Sequence, residues 1–308
     1  MVMPTHFTQP LELLAPDALT HALQRALGEF KSVTWSQSTG STNGDLVRRI
    51  KTTDELAMPC LEGAHVQSAA KGRAARPWKN ISGNTLMFSC AFAPEIPLAR
   101  LPGLSPALGV VACLALRQLF EPLIGRDSCQ NLTLKWPNDL QWGQGKLAGI
   151  LVETAQRSGA SHPCVVVGIG LNLLGARTLT TQLGRDVSDV SEILVDASRV
   201  SKSTVAGICP SAIVIAIAKA WQKALDVYCA KGYAAFQELF NSVDVLALRS
   251  VDVIDQGLTL QTGIAQGTDA FGRLLVRTET AVVPILVGDV SVRRHVLPEP
   301  TATLKGTR

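Results

Sequence analysis

The sequence predicts an α+β fold: a mixed, largely antiparallel sheet with helices on one side, followed by a small β-barrel. Three observations carry that prediction. Apolar residues recur at helical spacing at 17–28, 109–120 and 211–230. Short apolar strands bounded by turn residues lie between them, at 132–136, 146–153 and 164–173. After Asn241 the pattern shifts to closely spaced short strands separated by Asp-Gln-Gly, Thr-Asp-Ala-Phe-Gly and Gly-Asp turns. With 308 residues, 46% of them hydrophobic, the chain can fill one large core and a smaller one. The expected division is 1–242 for the large domain, 243–298 for the small one and 299–308 for a loose tail.

The elements follow in order. Leu19, Leu23 and Leu27 share one helix face, and Gly28 ends that helix. Val33-Thr34-Trp35 reads as a strand. Ser41 or Thr42 then caps a short helix through Ile50. His65-Val66-Gln67 is a strand end leading into a basic loop through Arg76, and Thr85 to Ala93 is strand-like. Gly109 to Phe120 is apolar on nearly every face, so it reads as a buried helix. Leu132 to Trp136 is a buried strand, with turn chemistry at Pro137-Asn138-Asp139 and again at Gly143-Gln144-Gly145. Lys146 opens a returning strand. Simple alternation puts Lys146, Ala148, Ile150 and Val152 on one face and Gly149 on the other. Cys164 to Leu173 is another apolar strand. Ser211 to Ala230 is a helix with Lys219, Lys223 and Asp226 on its polar side. The last strands are expected at 245–253, 258–267, 274–278 and 290–292.

Composition narrows the function. A net charge of +4 is mild for this length, which fits a phosphate-bearing small molecule and does not call for nucleic acid. Seven scattered cysteines without a Cys-x-x-Cys pair argue against disulfides and structural zinc, and for a reducing, cytoplasmic setting. The five histidines have no metal-ligand spacing, and no protein-held metal is expected. No signal peptide is apparent, and the apolar stretches 104–116 and 212–218 are too short or too interrupted to span a bilayer.

Two segments place charge where packing gives it no role. The first is Lys135-Trp136-Pro137-Asn138-Asp139-Leu140, then Lys146-Leu147-Ala148-Gly149-Ile150-Leu151-Val152-Glu153. A lysine at the start of an apolar strand, near a residue without a side chain, suits a tightly approached anionic ligand. The second is Gln67-Ser68-Ala69-Ala70-Lys71-Gly72-Arg73-Ala74-Ala75-Arg76-Pro77-Trp78. If this segment is extended, Lys71 and Arg73 point to one side and can reach one phosphate. A basic surface loop alone is more often simply solvated. Gly168-Ile169-Gly170-Leu171-Asn172 follows a strand, and its glycines permit close approach of a flat ring. Gly-x-Gly-x-x-Gly is not present, so a dinucleotide-binding reading has little support.

Together these strings resemble the biotin–protein ligases, in a form lacking the N-terminal DNA-binding domain. The family pattern is close to Lys-Trp-Pro-Asn-Asp-Leu followed by Lys-Leu-Ala-Gly-Ile-Leu-x-Glu. Its loop pattern Gln-x-x-Gly-Arg-Gly-Arg-x-Gly-Arg-x-Trp is matched in register by Gln67, Gly72, Arg73, Arg76 and Trp78. Ser41-Thr42-Asn43 resembles the family's Ser-Thr-Asn, and 168–172 its Gly-Ile-Gly-Ile-Asn. Residues 263–269 and 288–293 resemble its C-terminal SH3-like domain. The resemblance implies ATP, biotin and Mg²⁺ as the ligands, formation of biotinyl-5′-AMP, and transfer to a lysine of a biotin carboxyl-carrier domain of a carboxylase. It implies biotin contacts from Ser41, Thr42, Asn43, Gln67, Lys71, Gly72, Arg73, Lys146 and Gly149. Adenylate contacts fall to Arg76, Trp78, Asn138, Gly170 and Asn172, and catalysis to Lys146, Asp139, Arg73 and Lys71. The loop departs from the pattern: Ala70 and Ala75 replace glycines and Lys71 replaces arginine. A left-handed alanine costs on the order of 1–2 kcal/mol, and lysine lacks the bidentate fork. Weaker loop closure is therefore expected.

Three other readings compete. One is an enzyme of the same broad fold acting on lipoate or octanoate, which the Lys-Trp-Pro-Asn-Asp string disfavours. Another is a DNA-binding regulator, but the residues before Val33 have room for one helix and not for a winged-helix domain. The third is a degenerate module that binds biotin without ligating it. An exposed sheet edge would permit a homodimer. Trp136 reads as core.

Overall fold

A computed structural model gives the fold of residues 11–52, 56–200, 208–255, 257–286 and 291–294. The expected tail, 299–308, and the first residue of the last expected strand, Val290, lie outside the described residues.

Helix α1 (Pro16–Ala26) begins at a proline, whose missing N–H costs nothing at that position, and buries Leu19 and Leu23. It leads into β1 (Ser32–Thr39). Helix α2 (Thr42–Thr52) follows, with Ser41 Oγ accepting the Gly44 N–H at 3.3 Å as a cap. Strands β2 (Cys60–Gln67) and β3 (Thr85–Phe92) flank the basic loop. The long α3 (Leu104–Ile124) ends at Gly125, and the short α4 (Arg126–Cys129) leads to β4 (Leu132–Lys135). Strands β5 (Asp139–Trp142), β6 (Gly145–Ala155) and β7 (Cys164–Asn172) complete the large sheet. Helices α5 (Ala176–Leu183) and α6 (Val190–Val200) come next, and neither has a counterpart among the expected elements. Helix α7 (Pro210–Lys231) and the short α8 (Gln237–Asn241) lead to the second sheet.

The first sheet has seven strands in the order β1-β2-β3-β7-β6-β5-β4. Only β1 and β2 pair in parallel; every other neighbour is antiparallel. Alternation sends Leu86, Phe88, Cys90 and Phe92 of β3, with Val165, Val167, Ile169 and Leu171 of β7, to a core shared with α1, α3 and α7. The opposite residues, Ala91, Cys164 and Val166, meet Leu46 and Ile50 of α2. The long helices thus share one face, as expected. The short α2 covers part of the other and leaves the rest of that face open. Both faces of β3 are covered, which is why its residues are apolar or small throughout.

The second sheet is antiparallel, in the order β11-β10-β9-β8-β12. Its strands are β8 (Ser250–Asp255), β9 (Leu258–Thr268), β10 (Leu274–Arg277), β11 (Val282–Ile285) and β12 (Ser291–Arg294). Strand β11 was not expected, because its alternation is broken by Pro284. Val251, Val253, Ala265, Leu274 and Val276 join the same apolar cluster as α3 and α7. The connection is polar as well: Tyr233 Oη lies 2.9 Å from Thr268 Oγ1, and Gln237 Nε2 donates to Thr268 O at 2.5 Å.

The segment 98–124 is long and apolar enough to cross a membrane. In this fold Leu104, Leu108, Leu116 and Phe120 of α3 are fully buried against α7 and the sheet.

Candidate active site

The open part of the sheet's second face holds a cavity of about 240 Å³. Two polar systems line it, arranged along β7.

At Gly168 the wall is a chain of hydrogen bonds. Gln67 Nε2 donates to Thr42 Oγ1 at 3.2 Å, and Thr42 Oγ1 lies 2.6 Å from Ser89 Oγ. Ser89 donates to Asn43 Oδ1 at 2.6 Å, and Asn43 Nδ2 donates to Glu153 Oε2 at 2.8 Å. Thr42, Asn43, Gln67 and Ser89 are all buried. Such groups are expected to be satisfied, and these satisfy one another. A Cβ at Gly168 would collide with both Asn43 Oδ1 and Ser89 Oγ, so the residue must be glycine for this chain to close. Ser41 lines the cavity too, with its hydroxyl engaged as the α2 cap. Ser89 was not foreseen: it sits in an apolar strand, and only the pairing Ser89↔Gly168 brings it to Asn43.

Two residues along β7, at Gly170, the wall becomes aromatic and charged. Gly149 and Gly170 face each other in register across β6 and β7. A Cβ on either would lie 2.7–2.8 Å from the Trp78 indole, so the glycine pair is the cradle in which that ring rests. The indole Nε1 is buried without a partner among the described residues. Lys146 Nζ sits 4.9 Å from the indole centroid and 2.6 Å from Asp139 Oδ1. Both are largely buried, with side chains 15% and 25% exposed.

The position of Lys146 corrects the alternation expected for its strand. Gln141 pairs with Lys146 and Leu140 with Ala148, so Leu147 is an extra residue, a β-bulge. The bulge turns Lys146 onto the Gly149 face, where Nζ lies 3.3 Å from the place a Gly149 Cβ would take, while Leu147, Ala148 and Ile150 enter the core. A strap formed by residues 186–188 fixes the backbone there. Lys146 N–H donates to Asp186 O at 3.1 Å, and Ser188 N–H donates to Lys146 O at 3.0 Å.

The basic loop is not extended as expected. Lys71 bridges Pro77, Trp78 N–H donates to Ala70 O at 2.9 Å, and Arg73–Ala75 forms a 3-10 turn. Lys71, Gly72, Arg73 and Arg76 nevertheless all line the cavity. Arg73 Nη1 reaches Asn138 Oδ1 at 3.5 Å, and Asn138 Nδ2 donates to Ile150 O at 2.7 Å. Of the two alanines at glycine positions, Ala75 is left-handed, at φ 53°, and Ala70 is not. Ala74 is also left-handed, at φ 52°.

Asn172 stands behind the cavity wall. It does not line the cavity; its Nδ2 donates to Lys146 O and Ser188 O, each at 3.2 Å, so it holds the backbone behind Lys146. Trp136 is core, as expected, and also touches the cavity, with Nε1 donating to Gly272 O at 3.0 Å. Lys135, Arg185 and Val292 line the cavity without having been assigned to it. Arg185 arrives from the loop after α5, which carries no motif, and Val292 from β12, whose 288–293 string marks the small domain and not the cavity.

Known proteins share this plan. The family model described as biotin/lipoate A/B protein ligase family matches residues 35–172, and that of the biotin protein ligase C-terminal domain matches 249–293. A biotin–[acetyl-CoA-carboxylase] ligase of Mycobacterium tuberculosis is 30% identical, over 82% of this chain and 85% of the relative. One from Paracoccus denitrificans is 30% identical, over 78% of this chain and 91% of the relative. A biotin protein ligase from Aquifex aeolicus, solved in complex with biotin and ATP, superposes with a TM-score of 0.66 at 24% identity. That superposition covers 86% of this chain and all of that one, and it supports the fold. On sequence and architecture together, the chain belongs to the biotin protein ligase family.

Proposed function

We propose that this protein activates biotin with ATP to biotinyl-5′-AMP and transfers the biotinyl group to a lysine of a carboxylase's biotin carrier domain. The observation that carries the reading is one cavity joining a neutral, hydrogen-bonding end to a cationic end. The first suits the uncharged bicyclic ring of biotin. The second suits a carboxylate meeting a triphosphate.

In the first step a biotin carboxylate oxygen attacks the α-phosphorus of ATP, and pyrophosphate leaves. No covalent nucleophile is needed, only alignment and opposition of the gathered negative charge. Lys71, Arg73, Arg76 and Lys146 are assigned that task, with Ser41, Thr42, Asn43, Gln67, Gly72 and Gly149 around biotin. Trp78, Asn138 and Gly170 are assigned to the adenylate, and Asn172 supports Lys146 from behind. Among the described residues no group of three or more His, Cys, Asp or Glu side chains gathers as a metal cluster. Asp139, among the described residues the one carboxylate lining the cavity, is already paired with Lys146. A Mg²⁺ brought in with ATP would neutralise phosphate charge beside Lys71, Arg73, Arg76 and Lys146. In the second step the acceptor lysine's ε-amine attacks the mixed anhydride's carbonyl carbon and AMP leaves. Asp139 is assigned to orient that amine and take its proton.

We assign ligand binding to residues 1–242 and an SH3-like domain to 243–298. A cytoplasmic setting is supported by seven cysteines that are all free thiols.

Pyrophosphate–ATP exchange by the purified protein tests the reading. Exchange that depends on biotin is expected. Exchange with lipoate alone would overturn the substrate, and biotin binding without exchange would leave a module that binds and does not ligate.

The strained loop adds a second expectation. Ala75→Gly relieves a left-handed alanine, worth on the order of 1 kcal/mol or about a five-fold shift toward the turn conformation. Leakage of biotinyl-5′-AMP to free biotin and AMP, measured without acceptor, should fall two- to five-fold by that estimate. Unchanged leakage would show that the strain does not oppose closure.

A further inference from the structure

We propose that Glu153 is a positioning residue for biotin recognition: it sets the direction of the hydrogen-bond chain at Gly168, which presents one donor and several acceptors to a cyclic urea. This rests on biotin being the ligand.

The direction follows from valence. A carboxylate oxygen only accepts, so the Asn43 atom 2.8 Å from Glu153 Oε2 is the amide nitrogen, and Asn43 Oδ1 faces Ser89. An amide oxygen also only accepts, so the single hydroxyl hydrogen of Ser89 goes to it. Ser89 Oγ must then accept from Thr42, whose own oxygen accepts from Gln67 Nε2. Gln67 is held in that sense at its other end, where Oε1 accepts the Thr42 N–H at 3.2 Å. What remains is one N–H on Gln67 and a free lone pair each on Gln67 Oε1, Thr42 Oγ1, Ser89 Oγ and Asn43 Oδ1.

A cyclic urea carries one carbonyl acceptor flanked by two N–H donors. That pattern is the complement of one donor beside several acceptors, whereas a dithiolane ring offers no strong donor or acceptor to either. If Asn43 turned over, its nitrogen would donate to Ser89 and every hydroxyl would reverse, leaving a surplus of donors. Among the described residues one other contact opposes the turn, Asn43 Nδ2 to Leu151 O at 3.4 Å. Glu153 does not line the cavity, so it acts through Asn43.

The test compares wild type, Glu153→Leu and Glu153→Gln for biotin affinity by calorimetry without ATP, and for the KM of biotin and of ATP in exchange. Glu153→Leu should raise the biotin Kd and KM roughly ten-fold, the effect of one misdirected buried hydrogen bond, with the ATP KM and kcat unchanged. Glu153→Gln keeps an accepting oxygen and should stay within about three-fold of wild type. Should Glu153→Leu not fold, Glu153→Asp withdraws the carboxylate by one methylene, and the biotin Kd should rise about three-fold. Unchanged biotin affinity in Glu153→Leu or its substitute, a parallel rise in both KM values, or Gln as weak as Leu would each overturn the inference. Wild-type protein that binds no biotin would overturn the reading beneath it as well.

Discussion

Lys146→Ala lowers biotin-dependent pyrophosphate exchange by on the order of 10²–10³-fold, the loss typical of removing one preorganised group that faces transition-state charge. The magnitude comes from two effects acting together. The cation disappears from the wall where the carboxylate and triphosphate meet. Asp139, now without its partner at 2.6 Å, adds a negative charge to the same wall. Asp139→Ala is the contrasting variant: it leaves the cation in place, so exchange persists while discharge of preformed adenylate onto the acceptor slows. Less than a ten-fold loss for Lys146→Ala, or normal discharge by Asp139→Ala, would remove the role assigned to each.

The second large effect concerns stability. Asp244 lies beside the edge strand β4, in the segment joining the two sheets; Leu134 N–H donates to Val243 O, and Val245 N–H donates to Leu134 O. Burial lifts the Asp244 carboxyl to about 6, against 3.8 for the free group, while its bond from Leu246 N–H at 2.8 Å pulls the other way. Among the described residues its second oxygen is buried without a partner, as is Thr133 Oγ1 on β4. The folded form therefore holds this proton more tightly than the unfolded chain does. Stability is complete below about pH 4 and falls as pH rises toward 6, at about 1.4 kcal/mol per unit, for a total of about 3 kcal/mol at pH 7. Asp244→Asn keeps the oxygen that caps Leu246 and removes the charge. It should raise the melting temperature at pH 7.5, less what its unpartnered amide N–H costs, and give no gain at pH 4. An equal shift at both pH values would show that the charge is not the cause.

Much of the site was legible because its residues sit in contiguous strings whose chemistry does not suit packing. Lys71 to Trp78 and Lys135 to Glu153 needed no knowledge of the sheet order. What the sequence hid depends on partners distant in the chain. Ser89 looks like one polar residue in an apolar strand until β3 pairs with β7. Asn172 ends a glycine-rich turn and suggests a ligand contact, yet the 186–188 strap claims its donors. The loop's left-handed alanines belong to a tight turn at 73–75 that an extended reading could not reveal. Helices α1, α3 and α7 were clear from periodicity. That the small sheet would share their core was not, because the pattern within its strands shows which residues turn inward and not what they pack against.

The bulge at Leu147 also bears on how the gene can change. Substitutions along β6 are local events, judged one side chain at a time. Loss of the codon for Gly145 is different in kind, since pairing with β5 by strict alternation would then send Lys146 toward the core while Leu147 takes its place in the cavity. The 186–188 strap would then lose its pairing with the chain on which the cation is mounted. Length in this stretch is therefore under tighter constraint than identity, and a descendant that drifts far in sequence can keep the chemistry provided it keeps the count.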